Sequence, residues 1–399
     1  MRKFDKKILV LFLMLLCINQ VSDAQSQLWG LTNYGGLQFG TIFSIAPGAT
    51  TLTNQYNLPG IPGSGSSYIS LIQGSDGGLY GMTPGGGVYG EGNVGGNGII
   101  FRYDPATNTY TEKINFNSGT GDAPEGALMQ ASNNMFYGMT SQGGANNFGV
   151  LFQYDAVNNI YTDIYDFDYT NGANPLGSLM QANDGNLYGM ANFGGTNGYG
   201  VIFQYNIGAS TYSDIYNFDL TDGAYPIGNL MQANDNNLYG MTNAGGATSD
   251  GYLNGMQGDG VIFQYNIINS TYTKEFDMAS ATGKNPLGSL FQASNGLIYG
   301  MTNYGGANAG GYINGGQGYG VIFTFDITSD TYSDILDFSL AGGTNGYGTF
   351  IQGLDGNLYA MTNSGGANND GTIFQYNTTS NIYTDEVDLT TTDGSFPQG

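Results

Sequence analysis

The chain has 399 residues and 40% hydrophobic content, enough to bury a large core, yet it contains no histidine and a single cysteine, Cys17. Ser-His-Asp and Cys-His nucleophiles, and zinc held by nitrogen or sulfur, are thereby excluded. Eight Lys and Arg stand against 31 Asp and Glu, a net charge of −23. Such a surface repels phosphate backbones and anionic lipid and argues against nucleic-acid or membrane partners.

Residues 1–24 open with Arg2, Lys3, Lys6 and Lys7, run through apolar residues from Ile8 to Ile18, and end on the small residues Ser22 and Ala24. This is the pattern of a secretory signal peptide, too short and too well bounded to span a bilayer. Cys17 lies inside it, preceded by Leu16 instead of the small residue a lipoprotein signal requires. The expected mature chain, 25–399, has no thiol, so packing and backbone pairing must supply its stability outside the cell. It keeps four basic residues, Arg102, Lys113, Lys274 and Lys284, against 29 acidic ones, a formal charge of −25. The acid excess reads first as a solubility device.

From Leu28 onward one phrase recurs seven times, anchored by Trp29, Tyr80, Tyr137, Tyr188, Tyr239, Tyr299 and Tyr359 at spacings of 51, 57, 51, 51, 60 and 60 residues. A small residue follows each anchor: Gly in six copies and Ala360 in the last. The unit from Pro175 to Tyr225 divides into four apolar segments, SLMQA, NLYGMAN, GVIFQYN and TYSDIYNF. Asp184-Gly185 marks a tight hairpin between the first two, and Gly194-Gly195 opens the next connection. No segment carries a helical apolar stripe. Four antiparallel strands per repeat predict an all-β, seven-bladed β-propeller with blades at about 28–60, 67–118, 124–170, 175–221, 226–279, 286–340 and 346–392. The segments are apolar on both alternate faces, as in Val201, Ile202 and Phe203, because neighbouring blades cover both sides of each sheet. The Gly after each anchor is expected to make room for a large side chain of the adjacent sheet.

The second, third and fourth segments occur seven times and the first only six. The chain enters at LWGLT, a second strand, and ends on Pro397-Gln398-Gly399, residues that elsewhere introduce a first strand. The two ends are complementary. A first strand beyond Gly399 would complete the sheet that begins at Leu28, which predicts a longer natural chain. The alternative is a natural end with one three-stranded blade.

The double Gly after the second strand and the stretch from Tyr103 to Tyr110 resemble kelch-type blades, with Tyr where that family has Trp. A closer resemblance is to the GloVer tandem repeats of exported bacterial proteins, best seen in Gly40-Thr41-Ile42-Phe43 and Gly371-Thr372-Ile373-Phe374. Met139, Met190 and Met241 depart from the Thr of that motif. Proteins similar to these often carry a C-terminal sorting or anchoring module. The resemblance implies architecture and no catalytic residues.

A glycosidase needs only two carboxylates, so paired Asp and Glu require scrutiny. Most are repeated, as Asp163, Asp214, Asp334 and Asp385 of the fourth strand, or Asp76, Asp184, Asp235 and Asp355 of the hairpin turn. Repetition favours a structural role, because a catalytic pair breaks the symmetry. The exceptions include Glu91, Glu125, Asp250 and Asp259, in no readable pair. No cofactor is implied; calcium is the one metal the composition leaves open, since it takes oxygen ligands. Gln73, Gln130, Gln181, Gln232, Gln292 and Gln352 of the first strands would either ring the channel or, the preferred reading, satisfy buried backbone groups of the innermost strand.

The reading is a monomeric, non-enzymatic binding or adhesion module for a glycan or a surface protein, with a secreted carbohydrate-active hydrolase as the rival. The expected site is the face bearing the second-to-third loops, three of which are expanded: 87–98, 251–260 and 311–320. Their Tyr89, Tyr252, Asn254, Gln257, Tyr312, Asn314 and Gln317 offer stacking and hydrogen bonds to an uncharged polar ligand. The bland alternative is drifted Gly-rich turns.

Overall fold

The computed structural model describes residues 27–32, 34, 40–46, 49–58, 70–87, 96–247, 252–253, 256–308, 318–392 and 394–397. The leader, 1–24, lies outside them. The described residues contain no helix, and none therefore that is long and apolar enough to cross a membrane. Among the described residues seven antiparallel blade sheets follow one another along the chain, six of four strands and one of three, beside one two-stranded hairpin. In blade 4 the strands are Met180–Gln181, Leu187–Ala191, Val201–Asn206 and Thr211–Asn217, hydrogen-bonded in that order. The three-stranded sheet is blade 1, Leu28–Leu31, Thr41–Ile45 and Thr53–Asn57.

Each third strand is buried on both faces; Val201, Ile202 and Phe203 are wholly inaccessible. Seven apolar clusters fill the molecule, one at each junction between neighbouring blades. The junction of blades 4 and 5, for example, joins Tyr188, Met190 and Phe218 to Leu230, Leu238 and Phe263. The ring closes where Ile373, Val387 and Leu389 of blade 7 meet Phe43 and Ile45 of blade 1. Backbone pairing supports that closure. Ser395 bridges Tyr34 antiparallel, in the manner of Ala173 with Phe193 and Ala224 with Ala244 inside other blades.

In every blade the register slips just before the Phe of the third strand, as between Ile202 and Phe203. The slip leaves one extra residue on the fourth strand, Ile215 in blade 4, and adds twist there. The Gly after each anchor sits directly opposite that Phe, Gly189 across from Phe203. A Cβ there would lie 2.5 Å from Phe203 Cζ and 3.0 Å from Leu179 Cδ2. The expectation that the adjacent sheet fills this space is therefore corrected: the occupant is the cross-strand partner within the same blade.

Two devices tie the innermost strands together. A Cβ on Gly126, Gly177, Gly228 or Gly288 would collide with the carbonyl of Gly177, Gly228, Gly288 or Gly348 of the next blade, so backbones meet directly around the axis. The glutamines are the second device. Gln181 Oε1 accepts the Ser132 N–H of the preceding blade at 2.8 Å, while its Nε2 donates to Ser132 Oγ and to Gly185 O. Gln130, Gln232, Gln292 and Gln352 repeat the clasp on Ser75, Asn183, Asn234 and Ser294. They do satisfy backbone groups, but in the neighbouring blade's exposed hairpin turn and not in their own buried strand.

Candidate ligand-binding face

The connection between blades and the loop between second and third strands emerge on one face, as the bridges Ala173–Phe193 and Ala224–Ala244 require. Short loops there are held rigidly. Gly194 and Gly195 turn the chain at φ of 79° and 76°, and Asn217 Oδ1 at the end of the fourth strand accepts the Thr196 N–H at 2.6 Å. Asp166 and Asp388 do the same for Ala145 and Ala367. Between blades, Asn192 Nδ2 donates to Pro226 O, Asn243 to Pro286 O and Asn363 to Pro397 O. The repeated Asn is thus a structural rivet.

On this rigid floor several positions whose residue type varies between copies carry aromatic side chains. The Phe148 ring lies 5.4 Å from that of Tyr169, and Tyr225 lies 5.3 Å from Phe193 and 5.8 Å from Tyr199. Tyr169 O accepts the Gly195 N–H at 2.8 Å, and a Cβ on Gly198 would lie 3.5 Å from the Tyr169 hydroxyl, so Tyr169 packs on the loop that carries Phe193 and Tyr199. Tyr169 and Phe193 are exposed, at 45% and 39%. The result is an open aromatic floor across blades 3, 4 and 5. A further edge-on pair, Tyr34 with Phe396, marks the junction of blades 7 and 1.

Glu125 stands at the border of that floor, immediately before the axial Gly126. Burial pushes its carboxyl up to about 7, opposed only by a hydrogen bond with Ser141. Ser141 O accepts Asn174 Nδ2 at 2.8 Å, and the Asn174 N–H donates to Phe148 O, so Glu125 connects to the rings through three contacts. The hairpin carboxylates Asp184, Asp235 and Asp355 serve as structural caps. Asp184 caps its hairpin by accepting the Asn186 N–H and the Tyr188 hydroxyl, and Asp235 and Asp355 copy it. Asp163, Asp334 and Asp385 are pushed up to about 6, by burial first and then by Asp166, Asp337 and Asp388. Among the described residues no three His, Cys, Asp or Glu cluster to hold a metal ion.

Of the expected site residues, Tyr89, Asn254, Tyr312, Asn314 and Gln317 lie outside the described residues, as do Glu91 and Asp250. Tyr252 and Gln257 face each other by backbone register in a small hairpin, Tyr252–Leu253 with Met256–Gln257, within the blade 5 insert. Asp259 is buried just before the third strand of that blade. The aromatic floor escaped sequence reasoning because its members occupy positions that vary from copy to copy. Tyr169 corresponds to Ser118, Leu220, Ser280 and Leu340. The usable signal was that variation itself.

These sheets define a seven-bladed β-propeller with its variable chemistry on one loop face. Residues 91–254 match the model of the Gloeobacter/Verrucomicrobia repeat. No curated protein matches the chain. Among solved structures it is similar to a Pseudomonas aeruginosa periplasmic gluconolactonase, at 14% identity and a TM-score of 0.58, over 93% of this chain and 98% of that one. It is also similar to a putative 6-phosphogluconolactonase from Bacteroides uniformis, at 12% identity and a TM-score of 0.56, over 94% and 98%. A counterpart from Bacteroides fragilis gives 15%, 0.55, 91% and 95%. Likeness at these identities concerns the fold.

Proposed function

We propose that this is an exported, monomeric, non-enzymatic binding module whose loop face recognises a neutral glycan. The observation that carries the reading is the aromatic floor of Phe148, Tyr169, Phe193, Tyr199 and Tyr225. Exposed rings on a rigid surface offer flat apolar faces to the C–H faces of sugars, and their hydroxyls offer hydrogen bonds, at little entropic cost. The acidic surface disfavours uronate or sulfated polymers by charge. The leader supports export.

The test is binding to a panel of soluble neutral and acidic polysaccharides. Tyr169→Ala with Tyr225→Ala should weaken binding at least about tenfold, as loss of anchoring aromatics does. Trimming both long inserts to the short form GGTNGYGVIF should spare it. Loss on trimming and not on aromatic replacement would move the site to the inserts. Chelator-sensitive binding would bring in calcium, with carboxylate pairs such as Asp163 and Asp166 as its source.

A second reading, a carbohydrate-active hydrolase, draws on Glu125, because a carboxyl pushed up to about 7 suits general acid or base work. The lactonase names of the similar propellers place sugar lactones in that class beside glycosides. Burial alone raises Glu125, however, and no second carboxylate contributes, whereas glycoside hydrolysis needs two. Reproducible release of sugar, or of acid from a sugar lactone, that disappears in Glu125→Gln would establish this reading instead.

A further inference from the structure

Two departures from the repeat meet at one point. Where Glu125 stands, the other described blades carry Leu176, Ile227, Leu287 and Tyr347. Where Ser141 stands, blades 4 to 7 carry Asn192, Asn243, Asn303 and Asn363, and blade 2 carries Pro84. In blades 4, 5 and 7 that Asn rivets the next blade through a proline carbonyl; Ser141 gives up the rivet. Its hydroxyl turns back instead, 2.9 Å from Ala123 O and 3.3 Å from Glu125 Oε1.

A serine hydroxyl has one proton, and a carbonyl can only accept. The shorter contact assigns that proton to Ala123 O. The contact with Glu125 is then satisfied when the carboxyl carries its own proton and donates to Ser141 Oγ. Glu125 is half-buried, and among the described residues the hydrogen bond it makes is the one with Ser141 Oγ.

Resting on the glycan reading above, we propose that Glu125 acts as a neutral carboxylic acid which, with Ser141, forms the polar end of the aromatic floor and fixes a hydroxyl of the sugar stacked there. The charged side chains on the elements packed around it are Asp122 on its own segment, Asp166 capping the loop that starts at Ser141, and Asp168 on the connection that carries Asn174. All are carboxylates, and among the described residues no cation pairs with Glu125 to hold it ionised. Ionisation would strip the donor from Ser141 and place a charge against a neutral sugar. Binding should therefore be strong when Glu125 is protonated and fall as pH rises through the neutral range, consistent with a carboxyl pushed up to about 7.

The experiment uses the full mature chain, a soluble neutral β-glucan and a soluble xylan as probes, and carboxyl carbon NMR. Wild-type affinity should fall at least about tenfold between pH 5.5 and 8.5. Glu125→Gln, whose amide N–H still donates to Ser141, should bind with no such dependence. Glu125→Leu, the residue two sister blades carry, should fold and lose about tenfold or more at every pH. Wild-type affinity in Glu125→Leu, or a Glu125 carboxyl that titrates in the ordinary Glu range, would overturn the proposal. Failure of the wild type to bind either glycan at any pH would overturn the glycan reading itself, while the NMR titration would still decide the protonation of Glu125.

Discussion

Valine in place of Gly189 tests how the blades are packed inside. Its Cβ would lie 2.5 Å from Phe203 Cζ and 3.0 Å from both Phe203 Cε1 and Leu179 Cδ2. Relaxed carbon contacts need about 3.5–4.0 Å, so the ring must retreat by about an ångström. Phe203 is wholly buried, with Phe167 at 5.6 Å and Tyr212 at 5.1 Å, and has nowhere to go. The cost should reach about 3 kcal/mol, the upper end of ordinary overpacking. Gly189→Ala should cost about 1 kcal/mol, because blade 7 already seats Ala360 opposite Phe374. The decisive measurement is a double-mutant cycle by urea denaturation. If the clash lies within the sheet, Phe203→Leu combined with Gly189→Val should be less destabilising than the sum of the two by at least about 1 kcal/mol. Strict additivity would refute the cross-strand account and return the contact to the neighbouring blade.

Three further outcomes follow from the same structure. Gln181→Leu removes a clasp on Ser132 and should lower stability by about 1 kcal/mol in chemical denaturation; an unchanged midpoint would show that the clasps are idle. Gly177→Ala sets a Cβ against the Gly228 carbonyl and should cost several kcal/mol or halt ring assembly, visible as lost soluble yield, whereas a normal yield and melting temperature would mean that the axis is wider than described. Asp163, Asp334 and Asp385 are pushed up to about 6, and Glu125 and Glu275 to about 7, all by burial first. A carboxyl raised on folding binds its proton more tightly in the native state, so stability is highest below the unfolded pKa and falls as pH rises toward the folded one. The melting temperature should accordingly rise as pH is lowered from 8 to about 5, and a maximum at pH 8 would contradict the assignment.

The architecture was legible because a repeat is read seven times over. Strand number, hairpin turns, burial on both faces of VIF and the six first strands against seven of the others all stood in the residue pattern. The neighbour of Gly189 was not, since it depends on which way the Phe203 ring turns across the strand pair, and a side-chain rotamer leaves no residue type behind. The glutamines misled for a similar reason. An amide on an innermost strand suggests a buried partner, but Gln181 is long enough to reach past its own strand to the turn before it. The site was blurred by the success of the repeat. Aligning copies draws attention to what recurs, whereas Tyr169, Phe193 and Tyr225 are conspicuous only for failing to recur.

That failure is informative in a ring of near-equivalent blades. A position filled alike in every copy serves a contact that every copy makes, as Asp184 does for Tyr188 and Asn192 does for Pro226. A position where one blade departs, and loses a bond its sisters keep, must answer to something outside the ring or to drift. Glu125, Ser141, Phe148, Tyr169, Phe193, Tyr199 and Tyr225 lie on one face and are linked through contacts across successive blades, while other copies place Tyr34, Tyr304, Tyr319 and Phe396 at the same repeat positions. A ligand on the aromatic floor would then meet Glu125 and Ser141 at one end, where blade 3 abandons the pattern that its sisters in blades 4, 5 and 7 keep.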